Sequence, residues 1–199
     1  MRIFHGFSAL PPFRHAVVTV GSFDGVHLGH RALLEKLTAE ARAAGGESIV
    51  LTFEPHPRIA LGHAEGLRLL TSLDEKIGLL AESGVDCVIV IPFDRTFSAL
   101  SGREFIEQYV CRAVGAETIV VGYNHRFGHD RIGADRIEKL GLLRVVRVGE
   151  CRIDGQQVSS TVIRRLLDEG RVTEAERLLG HSTGNSQFKI QNCGKIKNF

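Results

Sequence analysis

Ala16-Val17-Val18-Thr19-Val20-Gly21-Ser22-Phe23-Asp24-Gly25-Val26-His27-Leu28-Gly29-His30 decides how this chain is read. The first five residues form a short, mostly β-branched run, the pattern of a strand buried on both faces. From Leu28 to Ala44 the pattern changes to a helix, with Leu33, Leu34, Leu37 and Ala41 on one face and Gly45-Gly46 as its stop. A strand that passes through a glycine-bearing loop into a helix is the unit of a parallel α/β sheet. Ligands bind at such turns because the amides at a helix N-terminus are unpaired donors. Gly21 and Gly25 allow the sharp turn, and Gly29 leaves room for a phosphate close to the helix.

The rest of the chain repeats the alternation. Strands are predicted at Ser48–Phe53, Val85–Ile91, Thr118–Val121 and Leu143–Val148. Two capping boxes, Ser72-Leu73-Asp74-Glu75 and Ser101-Gly102-Arg103-Glu104, open helices that run to about Ser83 and Val114. Two short helices, Ser160–Leu167 and Thr173–Leu179, close the pattern. The expected class is α/β: a Rossmann-like fold with a parallel sheet of about five strands and helices on both faces. Fold class alone does not reveal a reaction.

Chemistry is concentrated at the helix starts. His27 and His30 stand three residues apart on one helical turn and project toward the same side. Two imidazoles beside a helix N-terminus suit charge on a phosphorus under attack and on departing pyrophosphate. The stretch is neither GxGxxG nor GxxxxGK[ST], so it calls for a nucleotide used as substrate and held without a P-loop lysine. With Asp24 nearby the histidines could also ligate a metal, but no further ligand cluster supports one, and no metal residue is assigned. A second helix start, Val158-Ser159-Ser160-Thr161-Val162-Ile163-Arg164, reads on its own as an ordinary N-cap. Paired with the first, it reads as a second anion site of hydroxyls, amides and Arg164. Thr52–Arg58 and Gly122–Gly128 are polar-aromatic loops that follow strands, where Phe and Tyr could stack on a flat heterocycle.

Composition narrows the partners. The 199 residues are 43% hydrophobic and 24% charged, which excludes a disordered chain. The net charge of +2 is too small to argue for nucleic acid. It is also unevenly placed, because residues 181–199 hold three Lys and no acidic residue, while residues 1–180 are close to neutral. Cys87, Cys111, Cys151 and Cys193 are scattered, with no zinc spacing, and the apolar settings of Cys87 and Cys111 read as buried reduced thiols. No apolar run approaches membrane-spanning length, and the N-terminus lacks a signal-peptide core, so a cytoplasmic location without membrane contact is expected.

Taken together, Gly21–His30, Thr52–Arg58, Leu70–Lys76, Phe93–Ser101, Val120–Gly128 and Val158–Leu167 resemble, in order, the FAD synthetase (FMN adenylyltransferase) module of bacterial bifunctional riboflavin kinase/FAD synthetases. The resemblance covers about residues 1–180. It implies the nucleotidyltransferase fold and AMP transfer from ATP to FMN with Mg²⁺, releasing pyrophosphate. By the same resemblance, the catalytic set is His27, His30, Asn124, Ser160, Thr161 and Arg164. ATP would meet Gly21, Ser22, Phe23, Asp24, Gly29, Gly122 and Ser159. The flavin would be bordered by Phe53, Pro55, His56, Pro57, Arg58, Arg126 and Phe127.

There are departures from the family pattern. Val162 stands where relatives are commonly basic, and Ser22 where many have Asn. Beyond Gly180-His181, relatives continue into a riboflavin kinase domain, whereas here Ser182-Thr183-Gly184 begins an unlike tail. The expectation is a 1–180 module with an atypical 181–199 tail and no kinase activity. Two alternatives stay open: another small-molecule nucleotidyltransferase of the superfamily, and a flavin-nucleotide binding protein with little activity.

Overall fold

The computed structural model describes residues 1–183. The elements run β1 (Arg2–His5), β2 (Ala16–Val20), α1 (Leu28–Ala43), β3 (Ser48–Glu54), α2 (Pro57–Ala60), α3 (Leu73–Glu82), β4 (Cys87–Pro92), α4 (Arg95–Ser98) and α5 (Gly102–Phe105). They continue through a π-helical segment (Ile106–Ala113) to β5 (Ala116–Gly122), α6 (Ala134–Leu140), β6 (Arg144–Val148), a hairpin of β7 (Arg152–Ile153) and β8 (Gln156–Gln157), α7 (Ser160–Asp168) and α8 (Val172–Leu179). The tail predicted at 181–199 lies, from residue 184 onward, outside the described residues.

Six strands form one sheet in the order β1-β4-β3-β2-β5-β6, and every pairing is parallel. The strand beyond the expected five is β1. Arg2 and His5 bound it and Ile3 is 44% exposed, so an edge strand of this kind leaves no apolar run to read. The all-parallel order explains why the central strands are apolar on both sides. Val18, Val20, Leu51 and Ile89 pack against Phe105, Ile106 and Val110 on one face. Val17, Val50 and Val88 pack against Leu33, Leu34 and Leu37 of α1 and Leu80 of α3 on the other.

Both capping boxes form, at Ser72/Glu75 and Ser101/Glu104. The second helix nevertheless departs from the expected α-helix. After Phe105 it widens, and Val114 N–H donates to Tyr109 O, five residues back, at 3.1 Å. α7 and α8 build a third, smaller cluster around Ile163, Leu166 and Leu178, which holds Leu70 and Val158. Through it the C-terminal helices reach the loop between β2 and α1.

The chain order fixes where a ligand can sit. From β2 the chain moves outward to β3 and β4, then returns to place β5 on the opposite side of β2. The switch point is therefore the crevice between the C-terminal ends of β2 and β5.

Candidate active site

A cavity of about 330 Å³ opens at that crevice. Gly21, Ser22, Phe23, His27, Gly29 and His30 line it from the β2–α1 side, Gly122 and Asn124 from the end of β5, and Ser159, Ser160 and Thr161 from the start of α7. The two helix starts, more than a hundred residues apart in sequence, thus face one space. Ser159 caps α7 by accepting from Val162 N–H at 3.4 Å.

His27 is both the cap of α1 and part of the cavity wall. Its Nδ1 accepts from the backbone N–H of His30 at 3.2 Å, which places the proton of the neutral ring on Nε2. The His27 and His30 rings stack, with centroids 3.6 Å apart and planes 12° from parallel. A Cβ at Gly29 would lie 3.2 Å from the His27 ring, so the glycine lets that ring stand over the first turn. Burial pushes the His27 pKa down to about 4. Burial, then the neighbouring His27, His125 and Lys76, hold His30 well below its ordinary value, and its Nδ1 is buried without a partner among the described residues. At neutral pH the pair is uncharged, with donors ready for an anion.

The loop that carries His27 is strained and heavily tied down. Phe23 and Val26 have φ of 49° and 35°, conformations that cost energy for side chains of their shape. Gly25, at φ 83°, packs so closely that a Cβ would meet Leu70 Cδ1 at 2.7 Å. Asp24, 3% exposed, accepts from Leu70 N–H at 2.8 Å and Thr71 N–H at 3.2 Å and ion-pairs with Arg164. Thr71 Oγ1 accepts from Gly25 N–H at 3.1 Å, and Ser160 Oγ donates to Asp24 O at 3.0 Å. His181 Nε2 lies 2.8 Å from Gly25 O. Buried Lys76 donates to Ser22 O at 3.2 Å and Phe53 O at 3.3 Å, and burial lowers its pKa.

These bonds determine where several predicted residues face. Arg164 lines no part of the 330 Å³ cavity; its Nε donates to Arg68 O at 2.8 Å, and it borders a separate groove with Arg58 and Arg165. Asp24 lies beneath the cavity rather than on its wall.

A second cavity, about 470 Å³, adjoins the first. Phe53, Phe93, Phe97, Phe105 and Phe127 are among its walls. Phe53 and Phe93 meet edge-on at 5.3 Å, and Phe97 and Phe105 at 5.8 Å. Val20 and His125 line both cavities. Of the residues expected to border a flavin, Phe53 and Phe127 are on this wall, whereas Pro55, His56, Pro57, Arg58 and Arg126 line neither cavity. His56 instead caps α2, accepting from Arg58 N–H at 3.2 Å, with Pro57 as the first helical residue.

Sequence reasoning missed His125, Phe93, Phe97, Phe105 and Lys76 as site residues. A signal existed for the phenylalanines, since Phe93 and Phe97 lie in the Phe93–Ser101 segment that matched the family pattern. The same kind of signal existed for His125, which lies in the Val120–Gly128 segment beside Asn124. Of the two thiols expected to be buried, Cys87 is buried and Cys111 half-buried; both are free, as is Cys151, and burial raises the Cys87 thiol to about 11.

A switch-point crevice under two helix N-termini in an all-parallel sheet defines an α/β protein of the Rossmann type. Pantothenate synthetase from Thermus thermophilus shares the fold, with a TM-score of 0.50 at 19% identity over 90% of this chain and 81% of that one. Residues 11–162 match the FAD synthetase family, and the chain belongs to it. The bifunctional riboflavin kinase/FMN adenylyltransferase of Escherichia coli (strain K12) is 36% identical over 185 residues, which are 91% of this chain and 59% of that protein. A Streptococcus pneumoniae structure described as a macrolide-efflux protein superposes with a TM-score of 0.83 at 29% identity, over 92% of this chain and 62% of that one. The chain therefore spans about three fifths of the length of the E. coli relative.

Proposed function

We propose that this chain transfers AMP from ATP to FMN, forming FAD and pyrophosphate, and that residues 1–180 carry the activity. The observation that carries the reading is the pairing of cavities: a polar one under two helix N-termini, open beside an aromatic one at Val20 and His125. A triphosphate suits the first, and a flat tricyclic ring suits the second.

A phosphate oxygen of FMN attacks the α-phosphorus of ATP in line. The new P–O bond forms as the bond to the β-phosphate breaks, and pyrophosphate leaves with the electron pair. The protein need supply no nucleophile. First-turn amides of α1 and α7, with the Thr161 hydroxyl, would orient the phosphates, while the Ser160 hydroxyl donates to Asp24 O and holds the loop beside them. The Nε2–H of His27 donates to charge that develops on them, at no reorganisation cost because the cap has already fixed the ring. Asn124 stands at the β5 side of the same space. Arg164, through Asp24, holds the loop in place.

Mg²⁺ is expected to arrive with ATP, held mainly by phosphate oxygens as such ions commonly are. Among the described residues there is no group of three or more His, Cys, Asp and Glu that could hold a metal ion. Asp24, the carboxylate nearest the loop, is already committed to two amides and Arg164. No helix among the described residues is long and apolar enough to cross a membrane, and a cytoplasmic setting suits the two soluble substrates.

The test is incubation of the purified chain with ATP, Mg²⁺ and FMN, with FAD followed by chromatography and riboflavin in a parallel arm. FAD formed from FMN supports the reading. Tight flavin-nucleotide binding without turnover would instead identify a binding protein.

A further inference from the structure

The two cavities meet at Val20 and His125, and of these only His125 carries polar side-chain atoms. Its backbone N–H donates to Gly122 O at 3.2 Å, and its ring packs on Phe127 with centroids 4.2 Å apart. The residue is thus held at both backbone and ring. Among the described residues no group hydrogen-bonds to either ring nitrogen, and neither is sealed away as His30 Nδ1 is. A fixed imidazole with free nitrogens on the wall between a polar and an apolar space is a recognition element in search of a ligand atom.

The adenylyltransferase reading, on which this inference rests, supplies that atom. A flavin ring in the aromatic cavity must send its phosphate toward the His27–His30 pair in the polar one, and the route passes the shared wall. We propose that His125 contacts the substrate there, its ring N–H donating to the FMN phosphate, and that it selects FMN over riboflavin. Riboflavin ends in a hydroxyl at that point and gives the ring no anion to hold. Burial holds His125 near a pKa of 4, so it acts as a neutral donor.

The test uses His125→Phe, which keeps an aromatic ring against Phe127, and His125→Gln, which restores an N–H. Flavin fluorescence gives Kd for FMN and for riboflavin, and FAD formation gives KM for FMN and for ATP. The Phe variant is expected to raise Kd and KM for FMN about tenfold, the size of one hydrogen bond to a charged group. Its riboflavin Kd and ATP KM should stay within about twofold, and the Gln variant should recover most of the FMN affinity. Equal loss for FMN and riboflavin, or no loss, would overturn the proposal in favour of plain packing.

Ring ¹⁵N resonances of His125 in the unaltered chain give a second readout that holds even if a variant fails to fold. They should shift with FMN and not with riboflavin, and equal shifts would count against the assignment. A wild-type chain that neither makes FAD nor binds FMN would overturn the adenylyltransferase reading itself. A wild-type chain that makes FAD while His125→Phe behaves normally would overturn only the role of His125.

Discussion

The two cavities are built by different means. The polar one depends on a backbone conformation: Phe23 and Val26 sit at positive φ, and seven side-chain hydrogen bonds or ion pairs from Thr71, Asp24, Ser160, Lys76 and His181 hold the loop there. The aromatic one depends on ring packing, with Phe53, Phe93, Phe97, Phe105 and Tyr109 in successive tilted and edge contacts. Strain of the first kind survives only where the surroundings over-determine it. Rings of the second kind can shift against one another at little cost. The polar cavity should therefore fail sharply on single changes, and the aromatic one by degrees.

The largest effect should come from the histidine pair. His27→Asn keeps a side chain able to cap α1 but removes the imidazole, and FAD formation should fall about 10²- to 10³-fold, as when one preorganised donor is lost. Steady-state kinetics would show the drop in kcat with the fold intact by circular dichroism. A near-normal kcat would break the contrast between the cavities at its strongest point.

Next comes the tie beneath the loop. The side chains of Asp24 and Arg164 are 4% and 14% exposed, so Asp24→Asn leaves a nearly buried guanidinium without its partner. The loss should be about 3 kcal/mol, read as a fall in thermal midpoint of about 10 °C. Loss of activity should accompany it. An unchanged midpoint would show that the loop does not need its clamp.

A milder result is expected on the aromatic side. Phe93→Ala removes a partly buried ring that meets Phe53 and Phe97. KM for FMN should rise about tenfold with KM for ATP unchanged. A fall in kcat as large as that of the His27 variant would erase the distinction between the two cavities.

Acid titration tests both cavities without any substitution. His27 and His125 are held near 4 in the folded chain but titrate near 6.5 when unfolded, so the unfolded state binds more protons between those values. Stability should be level above about pH 6.5 and fall below it, by about 1.4 kcal/mol per pH unit for each histidine in the window. Denaturant midpoints from pH 7 to 4 would measure it. Midpoints that rise on acidification would mean the rings are charged in the folded state.

Much of this was legible in the residue order. β2, α1, β3 and the two capping boxes stand within a residue or two of their predicted bounds, because apolar period and cap chemistry are local. α6 was not predicted: its seven residues bury one apolar side chain, Ile137, too little to print a period. The π-helical turns after Phe105 have the same apolar spacing as an α-helix and cannot be told from one by pattern.

The sequence by itself determined the α/β class, the stretch from Gly21 to His30 as a strand-loop-helix turn that opens on the crevice, and the FAD synthetase family. These rest on residues that are neighbours in the chain. Only the tertiary structure decided that Ser160 and Thr161 face the same space as His27, that Arg164 turns to Asp24 instead, and that His125 stands between a polar and an aromatic cavity. The reason is the switch in strand order, which lays β5 beside β2 and so brings loops a hundred residues apart to one crevice. A side chain's direction within that crevice depends on which of several nearby partners binds it best, and spacing along the chain does not carry that information.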